Sequence, residues 1–208
     1  MSPLKLKVCG MRNANNILTI ANMNPDFMGF IFYKNSPRFV GHDFETPNRL
    51  NKNIKRVGVF VNADFEEITS AVQRHQLDMV QLHGDETIEL CRKLKSQAQV
   101  IKVFAVDHTF DFGLVKPFEA VVDYFLFDTK GTQRGGNGIS FDWRLLNDYQ
   151  GSIPFFLSGG ISIENIGKVA AIDHPLLFAI DVNSGVEIEP GIKDLDKFNT
   201  IRNLMKSI

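Results

Sequence analysis

Short apolar runs recur along the chain, separated by stretches in which apolar residues fall at helical spacing. Strands are predicted over residues 4–8, 27–32, 56–61, 79–82, 100–106, 124–127, 155–157 and 177–182. Their starts lie roughly 21 to 31 residues apart, room for one strand, one helix and two short loops. The runs are apolar at nearly every position instead of alternating, the pattern of a parallel sheet covered on both faces. Asp64 opens a predicted helix over 64–75 with Ile68, Ala71 and Val72 at core spacing. Ser162 is placed to cap another, which turns Ile166, Val169 and Ala170 to one face. A last helix over 194–205 carries Leu195, Phe198, Ile201, Leu204 and Met205. Eight strand–helix units in 208 residues predict an α/β fold, a single-domain (β/α)8 TIM barrel over 1–208, near the lower size limit of that architecture. A doubly wound open sheet is the competing arrangement. Even spacing and the lack of a dinucleotide-binding fingerprint favour closure.

Composition narrows the function. Lys plus Arg number 23 and Asp plus Glu 24, a formal net charge of -1, which argues against nucleic acid as a partner but not against a small anion held by local charges. No apolar run reaches the length of a membrane span, and the residues up to Lys7 hold no apolar stretch, so no signal peptide is expected. Cys9 and Cys91 make no disulfide framework, and a reducing cytoplasm is the expected compartment. Cys91 reads as helix core; His42, His75, His108 and His174 read as surface residues.

In a barrel of this kind the chemistry sits at the C-terminal ends of the strands. Those ends carry Cys9-Gly10, Arg38, His83-Gly84, Asp128, Ser158-Gly159-Gly160 and Asp181 to Gly185. Gly159 and Gly160 after strand seven, with Ser184 and Gly185 after strand eight, are placed to hold a phosphate on backbone N–H groups, so a phosphorylated small substrate is implied. Strand alternation puts Lys7 on the face of Cys9, where its charge needs a partner such as Asp181 and favours a thiolate. Cys9 is open to two readings, a catalytic group or a small buried strand residue. Arg38 could grip a carboxylate with its planar fork. Gln81 and His83 share a strand face that lines the site, where hydrogen bonding or packing suits His83 better than metal ligation. No metal-ligand spacing involves Cys9, His83 or Asp128. The glycine-rich segment with Gly135, Gly136 and Gly138 reads as a lid beside Asp128.

Taken together, these residues resemble the phosphoribosylanthranilate isomerase family of tryptophan biosynthesis. The resemblance runs through essentially the whole chain: Lys7-Val-Cys-Gly10, Gly29-Phe-Ile-Phe32, Ser36-Pro-Arg38, Arg56 to Asn62, Val80-Gln-Leu-His-Gly84, Asp128-Thr-Lys130, Gly135-Gly-Asn-Gly138 with Phe141-Asp-Trp143, Leu157-Ser-Gly-Gly160, Asp181 to Glu187 and Pro190 to Asp194. Asn137 and Asn183 stand where the family commonly has small residues such as Thr or Ser. The resemblance implies a (β/α)8 barrel and an Amadori rearrangement without metal or organic cofactor. It further implies Asp128 as general acid, Cys9 as general base, Arg38 on the anthranilate carboxylate, and the phosphate at Gly159, Gly160, Ser184 and Gly185. Lys7, His83 and Asp181 join the expected substrate site.

Two other readings fit the same barrel: a metal-dependent sugar-phosphate epimerase or aldolase, and a catalytically silent barrel that binds a phosphorylated metabolite. The expected partner is a small phosphorylated molecule, with neither nucleic acid nor membrane. A monomer is expected, with a homodimer as the alternative.

Overall fold

The structure, a computed structural model, describes residues 3–47, 50–130 and 141–206. Eight parallel strands close into a barrel in chain order: β1 (Lys5–Val8), β2 (Phe27–Ile31), β3 (Lys55–Phe60), β4 (Met79–Leu82), β5 (Gln99–Val106), β6 (Tyr124–Thr129), β7 (Phe155–Leu157) and β8 (Leu177–Val182). Closure comes from β8 pairing back to β1, with Lys5, Leu6, Lys7 and Val8 opposite Ala179, Ile180, Asp181 and Val182. The predicted barrel is the observed fold, and strand bounds differ from the expected ones by a residue or two at most.

The outer layer departs from eight regular units. α-Helices follow β1 (α1, Ala14–Ala21), β3 (α2, Phe65–His75), β4 (α3, Ile88–Leu94) and β8 (α4, Leu195–Met205). After β5, β6 and β7 the chain forms 3-10 segments, Phe112–Phe118, Trp143–Asp148 and Ile166–Ala171, and the described residues between β2 and β3 hold no helix. Pro37, Gly41 and Pro47 interrupt the β2–β3 connection, and Pro117 removes a backbone donor from the segment after β5. Asn13, Asp64, Thr87 and Asp194 cap the four α-helices by accepting backbone N–H groups of the first turn.

Ser162 is not the cap expected of it. Its own N–H donates to the Asn165 side chain at 2.8 Å, and Asn165 in turn donates to the Gly160 carbonyl, so a turn precedes the 3-10 segment. Three residues per turn then line up Ile166 and Val169 inward and rotate Ala170 out to solvent. On α4 the buried stripe is Phe198, Ile201 and Met205, while Leu195 and Leu204 lie exposed at its margins.

One device recurs at the N-terminal rim. Asp26, Asp78 and Asp123 each precede an even-numbered strand, and each accepts the backbone N–H of a residue on the strand before it: Leu6, Arg56 and Val100. These carboxylates satisfy strand-start donors that have no ladder partner and pin the register of β1–β2, β3–β4 and β5–β6.

The lumen is graded from apolar to polar. Its lower part packs Phe27, Val57, Met79, Ile101, Val103, Leu126, Phe156 and Ala179, with Tyr124 and Phe178 against them. Phe27 meets Phe156 edge-on at 5.2 Å, Tyr124 stacks on Phe178 at 4.7 Å, and the Lys5 ammonium lies 4.9 Å from the Phe178 ring. The upper part, toward the C-terminal ends, carries Lys7, Gln81, Asp128 and Asp181, all buried.

Two histidines read as surface residues are not exposed. His174 is half-buried: its Nε2 donates to the Tyr149 carbonyl and its Nδ1 accepts from the Leu176 N–H. His75 ends α2 beneath the β2–β3 connection, with Phe32 and Phe44 at 5.0 and 5.5 Å and the Thr46 hydroxyl 3.4 Å from Nδ1. Burial lowers the His75 pKa below the ordinary 6.5, Arg74 beside it adds to the effect, and Glu45 opposes it. The unfolded chain therefore takes up this proton at a higher pH than the folded one. His75 contributes its full stability above about pH 6.5 and loses it as the pH falls below that value. Thermal unfolding followed between pH 7.5 and about 5 is expected to show a smaller acid-side loss of Tm in His75→Phe than in the parent. Equal losses would remove His75 from the acid response.

Candidate active site

Alternate residues of a strand face the lumen, which turns Lys7 and Cys9 at the end of β1, Gln81 and His83 at the end of β4, Asp128 of β6 and Asp181 of β8 toward one axis. Cys9, Gln81, His83, Asp128 and Asp181 line a cavity of about 650 Å³ at the C-terminal ends of the strands. Tyr33, Arg38, Thr129, residues 158–161 and residues 183–185 complete its wall. Every expected substrate or catalytic residue among the described ones borders this cavity except Lys7, which lies beneath it with no exposure. Gly135, Gly136 and Gly138, the expected lid, lie outside the described residues.

Cys9 extends the β1–β8 ladder by one bond, its N–H donating to the Val182 carbonyl at 2.9 Å. Its sulfur crosses the backbone of β2 at Gly29, where an added Cβ would lie 2.7 Å from Sγ; only glycine leaves that room. Lys7 and Asp181 are directly opposite in register, and the ammonium meets Oδ2 at 2.7 Å, the partnership expected from strand alternation. The thiolate expected from that ammonium does not follow. Burial pushes the Cys9 thiol above its ordinary pKa; Lys7 pulls it down and Asp181 pushes it further up. Asp181 engages the charge that would have favoured ionisation, so the free protein keeps a thiol. Lys7 stays protonated in spite of burial because Asp181 and the sulfur both favour its charge.

Asp128 is 8% exposed; its Oδ1 accepts the Thr129 N–H at 2.9 Å and its Oδ2 lies 3.3 Å from His83 Nε2. His83 Nδ1 lies 3.3 Å from the Gln81 amide nitrogen. The backbone around His83 is held by a buried ion pair: Lys102 donates to the Leu82 and Gly84 carbonyls and to Glu86, while Glu86 accepts the N–H groups of Asn62 and Gly84. Among the described residues no three His, Cys, Asp or Glu side chains gather as a metal-holding group.

Arg38 is buried, not an exposed loop arginine. Its Nε and Nη2 fork onto Glu187 at 2.7 to 3.1 Å, and Lys193 reaches the same carboxylate at 2.7 Å. Lys193 also donates to the Asn183 side chain, so Asn183 ties this cluster to the loop after β8. Two cations share one carboxylate, which leaves one net positive charge beside the cavity. Glu187 and Lys193 went unassigned in the sequence. They belong to a short antiparallel pair, β9 (Glu187–Glu189) and β10 (Ile192–Lys193), whose one local signal is the Pro190-Gly191 turn between them. The two glycine loops meet at the opposite wall, where a Cβ on Gly185 would lie 2.0 Å from the Ile161 carbonyl oxygen.

The family described as N-(5'phosphoribosyl)anthranilate (PRA) isomerase matches residues 6–205. An N-(5'-phosphoribosyl)anthranilate isomerase of Parabacteroides distasonis is 42% identical over 207 residues, covering 98% of this chain and 92% of that one. The crystal structure of phosphoribosyl anthranilate isomerase from Thermotoga maritima superposes with a TM-score of 0.86 at 35% identity, covering 99% of this chain and 100% of that one. A phosphoribosyl anthranilate isomerase in complex with reduced 1-(o-carboxyphenylamino)-1-deoxyribulose 5-phosphate superposes with a TM-score of 0.81 at 32% identity, covering 99% and 100%.

The raised thiol of Cys9 has a direct readout. Alkylation of the native protein by iodoacetamide is expected at Cys9 alone, since Cys91 is sealed in the core with its thiol pushed up to about 11. The rate is expected to climb steadily with pH beyond the ordinary thiol value of 9.0. A plateau below about pH 8 would mean that a thiolate already stands in the free protein.

Proposed function

We propose residue roles from the premise that the chain belongs to the family of N-(5'-phosphoribosyl)anthranilate isomerases. Its reaction is the Amadori rearrangement of N-(5'-phosphoribosyl)anthranilate to 1-(2-carboxyphenylamino)-1-deoxy-D-ribulose 5-phosphate in tryptophan biosynthesis. A proton on the furanose oxygen lets the ring open to a protonated imine at C1. Loss of the C2 proton then gives an enolamine, and protonation at C1 with loss of the O2 proton gives the ketone. The cycle needs one group that donates and another that accepts, with environments that keep them in opposite protonation states.

Asp128 is the acid and Cys9 the base. The observation that carries this reading is that both side chains, one at the end of β1 and the other on β6, open into one cavity at the C-terminal strand ends. A thiol whose pKa is raised by burial is a strong base once ionised. The imine cation forms beside the sulfur, and its charge together with Lys7 favours the thiolate at the step that needs it. Arg38 attracts the anthranilate carboxylate; its Nε and Nη2 face Glu187, and the net positive charge of the Arg38–Glu187–Lys193 cluster remains for the ligand.

Gly159, Gly160, Ser184 and Gly185 take the phosphate, a handle remote from the reacting carbons whose binding holds the sugar between acid and base. Lys7 and Asp181 hold Cys9 in place, and His83 supports Asp128. No metal or organic cofactor takes part. The free thiols Cys9 and Cys91 suit a reducing cytoplasm. The epimerase or aldolase alternative is not favoured by the family match.

Steady-state kinetics with phosphoribosylanthranilate test the assignment. Cys9→Ala and Asp128→Asn are each expected to lower kcat about 100-fold or more with smaller changes in KM. Near-parental turnover in Cys9→Ala would reject the base. Arg38→Ala is expected to act mainly on KM, and an unchanged KM would take Arg38 out of the carboxylate site.

A further inference from the structure

We propose that the Lys193 ammonium is one positioning group for both anionic ends of the substrate. Through Glu187 it holds Arg38 for the carboxylate, and through Asn183 it holds the start of the loop that takes the phosphate. The proposal rests on Arg38 as the carboxylate site and on Gly159, Gly160, Ser184 and Gly185 as the phosphate site. Lys193 belongs to β10, outside the barrel, and does not border the cavity. A lysine on a short surface strand ordinarily keeps its charged head in water. The side chain of Lys193 has no exposure at all.

Both ends of this residue are built in. At the root, Asn16 of α1 clamps the backbone with two hydrogen bonds: its Oδ1 accepts the Lys193 N–H and its Nδ2 donates to the Lys193 carbonyl, each at 2.9 Å. At the head, Nζ donates to Glu187 Oε1 at 2.7 Å, to Asn183 Oδ1 at 2.8 Å and to the Asn183 carbonyl at 3.3 Å. An ammonium has three donors. All three are engaged inside the protein, so Lys193 places other groups and never touches the ligand.

Its two partners lead to the two ends of the site. Glu187 takes Nε and Nη2 of Arg38, which leaves Nη1 without a hydrogen bond among the described residues and fixes the guanidinium plane at the cavity wall. Asn183 is followed directly by Ser184 and Gly185, and the ammonium holds both its carbonyl and its side chain. The two branches converge over Gly10. A Cβ there would lie 2.8 Å from Arg38 Cδ and 2.8 Å from Asn183 Oδ1, and the φ of +75° is one that glycine adopts freely.

Charge makes the arrangement more than a brace. Burial pushes the Glu187 carboxyl up, but Arg38 and Lys193 more than offset it and hold its pKa below the ordinary 4.5. The Arg38–Glu187 pair alone is neutral, and Lys193 adds the charge that makes the cluster attractive to anions. Without it the carboxylate meets a neutralised guanidinium, and the loop after β8 loses the cation behind Asn183.

The test measures kcat and KM for phosphoribosylanthranilate, with competitive inhibition by two fragments, inorganic phosphate and anthranilate. Parent, Lys193→Met, Lys193→Gln and Arg38→Ala are compared. Lys193→Met is expected to raise the inhibition constants of both fragments about fivefold. KM is expected to rise about tenfold while kcat stays within about threefold. Arg38→Ala is expected to weaken anthranilate more than phosphate.

A natively folded Lys193→Met protein that binds either fragment as the parent does would overturn the proposal. So would a loss of kcat with unchanged inhibition constants, which assigns Lys193 to folding alone. If Lys193→Met does not fold, Lys193→Gln decides, since it keeps an amide donor but no charge; the same two increases are expected, and parental constants overturn the role. Failure of the underlying reading looks different. Unchanged anthranilate inhibition in Arg38→Ala removes the carboxylate site, and phosphate that does not compete with substrate in the parent removes the phosphate site.

Discussion

Two unit charges lie side by side inside the barrel, the Lys7 ammonium 2.7 Å from the Asp181 carboxylate, and both are all but sealed from water. Neither could be buried alone, since removing one partner of such a pair costs about 3–5 kcal/mol. They sit directly opposite each other across the β1–β8 pairing, the seam at which the barrel closes. Closure therefore brings the charges together, and the charges favour the one register in which both are compensated. Cys9 is the next inward-facing residue on β1. Its thiol sits in a polar but nearly neutral environment, which is why burial outweighs the ammonium in setting its protonation.

Above and below this pair the lumen divides its tasks. The aromatic packing of Phe27, Tyr124, Phe156 and Phe178 fills the N-terminal half, where the carboxylates of Asp26, Asp78 and Asp123 hold strand starts in register. The C-terminal half gives up apolar packing for a cavity bordered by groups that are held from outside the lumen. Glu86 and Lys102 brace the segment carrying His83, and Glu187 with Lys193 braces Arg38. Arg38 and the segment carrying His83 are thus each oriented by buried ion-paired groups from outside the lumen.

The β9–β10 pair shows where sequence reading reaches its limit. Strands of three and two residues carry too little periodicity to stand out, and only the Pro190-Gly191 turn marks them. The same pair supplies Glu187 and Lys193, the partners that turn Arg38 from a loop arginine into a buried one. His75 was misread for a related reason. Its place on α2 is polar by local pattern, and it is covered only because the helix-free β2–β3 connection, with Phe44 and Thr46, folds over it. Ser162 had the identity and position of a cap, yet its side chain pairs with Glu164 and the 3-10 segment starts only after Asn165.

The sequence by itself determined the eight strands, their spacing and hence the barrel, because strand burial on both faces and turn chemistry are properties of neighbouring residues. It also placed Cys9, Arg38, His83, Asp128, Asp181 and the two glycine loops at the strand ends, which is where a barrel assembles its site, and the motif order pointed to the family. Only the tertiary structure decided what those residues face. The thiol state of Cys9 depends on Asp181, 172 positions away, and the orientation of Arg38 on Glu187, while His83 comes to lie 3.3 Å from a carboxylate on another strand. Protonation and orientation are set by distance and burial, and these arise from contacts between strands that no local pattern encodes.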